Sequence, residues 1–453
     1  MKWSPRTGPF HRFSARTSQP SQTQSREDYV MRLDLKQFLC IFLFILPLSL
    51  PTTANAQSGV HVDRNGSADP DSTAAKPFHV VRAGVCRAKT NGKVVFHPGD
   101  YNEAITITYP MLLTSTGKAT IGRLAGKAHT TLKVLTYNTH LFGDEGAGRF
   151  PQFADRARAA FIADRIRLED ADIVGLEEVW DDELKDIILE RSGYPFHHYG
   201  GRKDDVYDVL NSGLLLLSKH PIINASQHFY NDEVNIQDCP AFDPFCYLQN
   251  PFTPWKCFEN KCIPYLDGLA SKGFLRATIS KAGFQFGVFV THTQAEQHED
   301  GVNARRKQLE QLGAQIQTFR AQNPGAEILM MGDLNIIGRS EDYYNSLLFQ
   351  TKLFDIYPNL VPNLVPCLDI SLDQGTCDYE RNDLARHFDN TGPDCDDKRL
   401  DYVLYSHGKA FDVLPVKLEV RRYQAEVHDD DKTMLDLSDH YGVAAEFSLW
   451  RNN

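Results

Sequence analysis

Residues 328–335 read ILMMGDLN. The run Ile328–Met331 is short and wholly apolar, as in a strand covered on both faces, and it stops at Gly332-Asp333-Leu334-Asn335. The same pattern recurs along the chain. Leu132–Tyr137 runs into Asn138-Thr139-His140, Ile173–Leu176 into Glu177-Glu178, and Phe284–Val290 into Thr291-His292-Thr293-Gln294. Arg399-Leu400-Asp401-Tyr402 opens another strand, and Ser438-Asp439-His440 precedes the last. A single Asp or His at a strand end is ordinarily a turn or cap residue. Six such ends, all carrying Asn, Asp, Glu or His, point instead to one crevice at a sheet edge where oxygen ligands and imidazoles converge.

Around these runs the chain alternates strands with amphipathic helices from Leu132 to Trp450. Further strands are expected at Ser212–Ser218, Gly273–Ser280 and Gly442–Leu449, and helices at Phe153–Leu168, Asp182–Ser192, Ala304–Gln322 and Glu341–Phe349. Leu309, Leu312 and Ile316 recur at helical spacing on one face. Consecutive short runs such as Gly273–Thr291 imply an α/β domain with antiparallel content.

The ordered set TYNTH (136–140), DIVGLEEV (172–179), SGLLLLSKHPI (212–222), THTQ (291–294), GDLN (332–335), RLDYV (399–403) and SDHYGV (438–443) resembles the endonuclease/exonuclease/phosphatase superfamily. The resemblance covers about residues 131–450. Lys272-Gly273-Phe274, THTQA (291–295) and Cys377-Asp378 with Asn382-Asp383-Leu384-Ala385 make the chain look most like the secreted sphingomyelinase C branch. The fold this implies is a four-layer sandwich, two β-sheets face to face with helices outside. The resemblance implies that Glu178 is the main metal carboxylate, with Asn138 and Asp439 nearby. Such hard oxygen ligands suit magnesium, with manganese or cobalt as substitutes. It further implies that Asp333 and Asn335 orient water and phosphate, that His440 with Asp401 handles the proton, and that His292 donates to phosphoryl oxygens. Two positions depart from the pattern. Glu177 stands where the family commonly has Gln or Asn, so it either tightens metal binding or faces solvent. His140 has no family role and reads as a strand-end histidine.

Composition sets the outer limits. With 42% hydrophobic residues in 453, the chain has a globular core to bury. Residues 1–56 hold seven Lys/Arg and three Asp/Glu, so residues 57–453 carry −15 against −11 for the whole chain. An acidic body disfavours general nucleic-acid coating, although a local basic groove would still bind phosphates. Residues 31–56 read as a secretory signal peptide, with Arg32 and Lys36 ahead of Phe38–Leu46 and a cleavage site after Ala56. That run is too short to span a membrane. The expected location is secreted or periplasmic.

Residues 57–75 read as a linker, and residues 76–126 as a small all-β appendage resembling a rung or two of a parallel β-helix. Export turns the eight remaining cysteines into expected disulfides. We expect pairing among Cys239, Cys246, Cys257 and Cys262, between Cys367 and Cys377, and between Cys86 and Cys395. Loose spacing and the lack of a completing histidine disfavour zinc. Residues 227–265, rich in Cys, Pro and aromatics, read as a stapled insertion whose rings would meet a phospholipid surface or form a local core. The expected activity is metal-dependent hydrolysis of a phospholipid headgroup, with sphingomyelin first. An extracellular nuclease, an inositol-phosphate hydrolase and a non-catalytic surface-binding protein are the competing readings.

Overall fold

The structure, a computed structural model, describes residues 59–63, 65, 73–75, 77–79, 81–88, 92–101, 111–121, 129–143, 153–203, 210–231, 267–295, 299–338, 342–357, 375–388, 397–407, 409–429 and 432–451, with Met31–Arg32. The rest of the expected signal peptide and most of the 227–265 insertion therefore lie outside the described residues. Cys377 is disulfide-bonded. The sulfurs of the other cysteines, and so the expected pairings, lie outside as well.

The strands are β1 Met31–Arg32, β2 Val60–Val62, β3 Lys93–Phe96, β4 Gly99–Tyr101, β5 Leu112–Ser115, β6 Ala119–Ile121, β7 His129–Leu141, β8 Ile173–Val179, β9 Phe196–Tyr199 and β10 Leu215–Ser218. They continue with β11 Ile222–Phe229, β12 Gly273–Lys281, β13 Phe284–His292, β14 Ala326–Asp333, β15 Phe354–Asp355, β16 Asp401–Tyr405, β17 Phe411–Arg421, β18 Gln424–Asp429, β19 Lys432–Asp436 and β20 Gly442–Arg451. The helices are α1 Val81–Ala88, α2 Asp155–Glu169, α3 Asp182–Ser192, α4 Glu299–Gln322, α5 Asp342–Thr351 and α6 Asp383–Phe388.

Two six-stranded sheets, ordered β17-β20-β7-β8-β10-β9 and β11-β12-β13-β14-β16-β15, form the body. Alternation along each strand explains why they stack. In β14, Leu329 and Met331 enter the core between the sheets, while Ile328 and Met330 face Leu309, Leu312 and Ile316 of α4. In β7, Leu132 and Val134 face inward, while Leu135 and Tyr137 meet Ile162 and Ile166 of α2. Each sheet is thus apolar on both faces, and helices cover the outer one. The fold is the expected four-layer α/β sandwich.

The appendage differs from its reading in two ways. Val60–Val62, within the expected linker, is a strand that pairs parallel with Val94–Phe96. The appendage is also not all-β, because VRAGVCRA folds as α1 and places Val81, Ala83 and Val85 in a small core with Val62, Phe78 and Phe96. Ala and Arg favour a helix here, and the apolar residues give it a face to bury. β3 pairs parallel with β5, and β4 with β6, at intervals of one winding of chain. Met31–Arg32 pairs antiparallel with Thr120–Ile121. His79 joins the appendage to the body, with Nε2 2.5 Å from the Tyr405 hydroxyl and its ring 4.4 Å from that of Phe354.

Candidate active site

The two central strands β7 and β14 lie in different sheets, so their ends open onto one crevice between the layers. Parallel pairing of β7 with β8 sets Asn138 opposite Glu177, and antiparallel pairing of β14 with β16 sets Asp333 opposite Asp401. The backbone at the strand ends departs from extended geometry. His140, Glu178 and Asn335 all adopt left-handed backbone, with φ of 47°, 57° and 51°, a conformation that non-glycine residues keep only where the surroundings enforce it. Gly332 has φ of 146°, and a Cβ there would stand 1.8 Å from the Thr291 carbonyl oxygen. This close approach is why the GDLN turn needs its glycine.

Asp333 is the hub. Its Oδ2 accepts a hydrogen bond from Asn138 Nδ2 at 3.1 Å and lies 3.6 Å from His292 Nε2 and 3.8 Å from His440 Nε2. Its Oδ1 accepts the Asn335 backbone N–H at 2.9 Å. On one side, His440 Nδ1 stands 2.9 Å from Asp401 Oδ2. On the other, Glu178 Oε1 accepts from Asn138 Nδ2 at 2.9 Å and lies 3.9 Å from His292 Nε2. Asp439 is tied in through His140, whose Nδ1 is 3.3 Å from Asp439 Oδ2 and 3.5 Å from Glu178 Oε2. All eight residues that the sequence singled out therefore meet in one place.

Burial and charge set the protonation states. Burial, reinforced by the Asp401 charge, pushes Asp333 up to about 7 even though His440 pulls the other way. Burial alone would lower His440, but the Asp401 and Asp333 carboxylates outweigh it and hold the imidazole well above its usual value. Burial, the Lys272 ammonium and His440 drive His292 well below its usual value. Burial opposes ionisation of Asp439 too, yet the His140 and His440 charges keep it below the usual carboxylate range. One shared proton between Asp333 and His440, beside a neutral His292, satisfies these shifts together.

Among the described residues, Asp333, Asp401 and His440 bring potential ligand atoms within 4.8 Å of one another. The expected metal residues are arranged differently, since His140 stands between Glu178 and Asp439. Neither of those two carboxylates has a lysine or arginine ion-pair partner among the described residues. Together with the Asn138 amide they make a hard-oxygen donor set with no lysine or arginine beside it among the described residues, which fits a divalent cation such as magnesium.

Sequence reasoning missed two residues and misjudged a third. His140 is buried at the centre of the acidic group and stacks on Phe388, with ring centroids 4.2 Å apart. Its only sequence signal was a second polar residue two positions beyond Asn138. Arg158 of α2 is fully buried and donates to the carbonyls of Thr139 at 3.1 Å, Leu437 at 3.0 Å and His140 at 2.5 Å. It thereby fastens the end of β7 to the loop that carries Asp439 and His440. Glu177 does not face solvent. It is fully buried and accepts a hydrogen bond from Thr136 Oγ1 at 2.9 Å.

The endonuclease/exonuclease/phosphatase family model matches residues 135–440. The chain belongs to that family. It is 24% identical over 343 residues to a sphingomyelinase C from Bacillus cereus, covering 71% of this chain and 90% of that relative. It is also 25% identical over 244 residues to sphingomyelinase C 2 from Leptospira interrogans, covering 50% of this chain. The matched region spans 34% of that longer relative. Among solved structures, a beta toxin variant from Staphylococcus aureus with bound magnesium ions superposes with a TM-score of 0.51 at 18% identity, covering 70% of this chain and 99% of that one. That likeness shows the fold.

Proposed function

We propose that this protein is a divalent-metal phosphodiesterase that hydrolyses a phospholipid headgroup, releasing phosphocholine from sphingomyelin. One observation carries the reading: Asp333 touches Asn138, His292 and His440 at once, so metal, water and phosphate would share a single crevice. Glu178 and Asp439, with the Asn138 amide turned outward, would hold the cation. When bound, magnesium supplies positive charge to the phosphoryl oxygens and favours an ionised nucleophile. Asp333 and the Asn335 amide orient the attacking water. Asp401 fixes His440 through Nδ1, so Nε2 faces Asp333, and this pair takes the proton of the water and returns one to the departing alkoxide. His292 donates from Nε2 to an oxygen that gains charge in the transition state.

The rest of the chain fits export and work at a membrane surface. Residues 31–56 would direct secretion, and the aromatic insertion 227–265 would contact lipid. No described helix is long and apolar enough to cross a membrane. The appendage over residues 60–121 would serve as a structural cap on the catalytic domain of residues 131–450. The similarity to sphingomyelinases C supports the headgroup assignment over the nuclease reading. The test is phosphocholine release from sphingomyelin vesicles, with plasmid DNA assayed in parallel, with and without magnesium. Magnesium-dependent release of phosphocholine is expected. DNA cleavage without phosphocholine would replace this reading with the nuclease.

A further inference from the structure

We propose that the appendage carries a metal site of its own, in which His61 and His97 ligate a transition-metal ion such as zinc and Asp63 orients His97. The observation is independent of the crevice and of the activity proposed for it.

Strand register brings these residues together. Parallel pairing of β2 with β3 sets His61 opposite Val95 and Val62 opposite Phe96. Side chains alternate along a strand, so His61 and Asp63 share one face with Val95 and His97. His97 is thereby the diagonal neighbour of His61 and the direct neighbour of Asp63. The backbone frame is held firmly. The His97 N–H donates to the Val62 carbonyl at 2.8 Å, and the Tyr101 hydroxyl donates to the carbonyls of Val62 and His97 at 3.1 Å and 2.9 Å.

The side chains form a pincer. His61 Nδ1 and His97 Nε2 face each other at 3.1 Å, with the two rings tilted by 60°. A zinc ion at the usual length of about 2.0–2.1 Å from each nitrogen would subtend an angle of roughly 100° there, between octahedral and tetrahedral values. On the far side of His97, Nδ1 lies 3.3 Å from Asp63 Oδ2. An ionised carboxylate only accepts, so it takes the Nδ1 proton and turns the Nε2 lone pair towards His61. A carboxylate behind a histidine in this way is what orients imidazole ligands in metal sites. Asp63 is itself fixed, since its Oδ1 accepts the Asn65 backbone N–H at 2.8 Å. The His97 and Asp63 side chains are 24% and 26% exposed, so water can reach the pincer and complete the coordination.

Ligand type selects the ion. Imidazole suits zinc, copper and nickel, whereas magnesium prefers oxygen. The charge of Lys93 also acts on His61 and opposes a cation. With two protein ligands and that repulsion, binding should be micromolar and not nanomolar. A bound ion would tie β2 to β3 through their side chains.

The experiment titrates zinc into the full chain by calorimetry, after chelation and with magnesium in excess. The wild type should take up one more equivalent of zinc than His61→Gln, and His97→Gln should behave like His61→Gln. Asp63→Asn should keep that equivalent but bind it about tenfold or more weakly, the usual scale for a residue that orients a metal ligand. Circular dichroism checks that each variant folds. If a variant fails to fold, diethylpyrocarbonate labelling of the wild type, read by peptide mass spectrometry, carries the test. Zinc should then protect His61 and His97 from modification. Equal zinc stoichiometry in wild type and variants, or labelling that zinc does not change, overturns the proposal and leaves the two rings sharing only a hydrogen bond.

Discussion

Of the three histidines in the crevice, His440 and His140 are each set between two carboxylates but are wired differently. His440 uses both nitrogens, with Nδ1 2.9 Å from Asp401 and Nε2 3.8 Å from Asp333. His140 uses one: the same Nδ1 faces Asp439 at 3.3 Å and Glu178 at 3.5 Å. Its Nε2 is buried and has no hydrogen-bond partner among the described residues. A histidine connected through opposite nitrogens passes a proton from one side to the other. A histidine connected through one nitrogen instead holds its two carboxylates in register, and its backbone N–H orients Asn138 by donating to Oδ1 at 3.2 Å. Identical residue types therefore serve proton transfer in one half and cation placement in the other.

The largest effect should come from the cation half. Glu178→Gln removes the charge without removing volume, so turnover should drop by about three orders of magnitude or more while thermal stability barely moves. Magnesium titration by calorimetry should show weakened binding. Unaltered turnover at limiting magnesium would remove Glu178 from the metal role and merge the two halves. Next comes the proton half, where His440→Ala should lower kcat by about two orders of magnitude and leave magnesium affinity close to wild type. A variant that keeps wild-type kcat would make His440 a structural histidine.

His140→Phe sharpens the contrast, because the ring and its stack on Phe388 persist while the donor nitrogen is lost. Magnesium affinity should weaken by about tenfold, the usual scale for a residue that orients metal ligands. Turnover at saturating magnesium should largely recover. If kcat at saturation falls as far as in His440→Ala, His140 belongs to the chemistry and the distinction fails.

How much of this was legible in the sequence depends on the range of the interaction. Period-two alternation and short all-apolar runs exposed the strands of both sheets, and their polar ends exposed Asn138, Glu178, His292, Asp333, Asp401 and His440. β17 was missed because FDVLPVKLEVR carries Pro415, a residue that reads against a strand; it pairs with Phe447 next to the shift of register that skips Val416. The β18–β19 hairpin was missed because its exposed faces are polar and lack an apolar period. His140 and His440 look alike in sequence, since each is a histidine close to an acidic or amide residue at a strand end. Which nitrogen meets which carboxylate is set by the folded chain, where His140 and Glu178 adopt left-handed backbone, and that is a tertiary effect. Arg158 was hidden for the same reason, because an arginine on an amphipathic helix ordinarily points to solvent.

The smallest effect tests what keeps the halves together. Arg158 joins the Thr139 and His140 carbonyls to the Leu437 carbonyl, and Asp155 Oδ1 pairs with it at 2.6 Å. Asp155 Oδ2 also accepts the backbone N–H groups of Phe142 and Gly143, each at 3.0 Å. Burial opposes ionisation of Asp155, but the Arg158 guanidinium and the Gly143 N–H outweigh it and hold the carboxyl below its ordinary value. A carboxylate depressed in the folded state adds stability above its unfolded pKa, near 4, and that contribution disappears as pH falls through the lower folded value. Asp155→Asn should therefore melt roughly 2–4 °C lower than wild type at pH 7, with the gap closing as the pH falls below about 4. Thermal melts followed by circular dichroism across that range would measure it. A gap that stays constant down to the acid limit would show that Asp155 acts by shape and neutral hydrogen bonding, and the clamp between the halves would not be ionic.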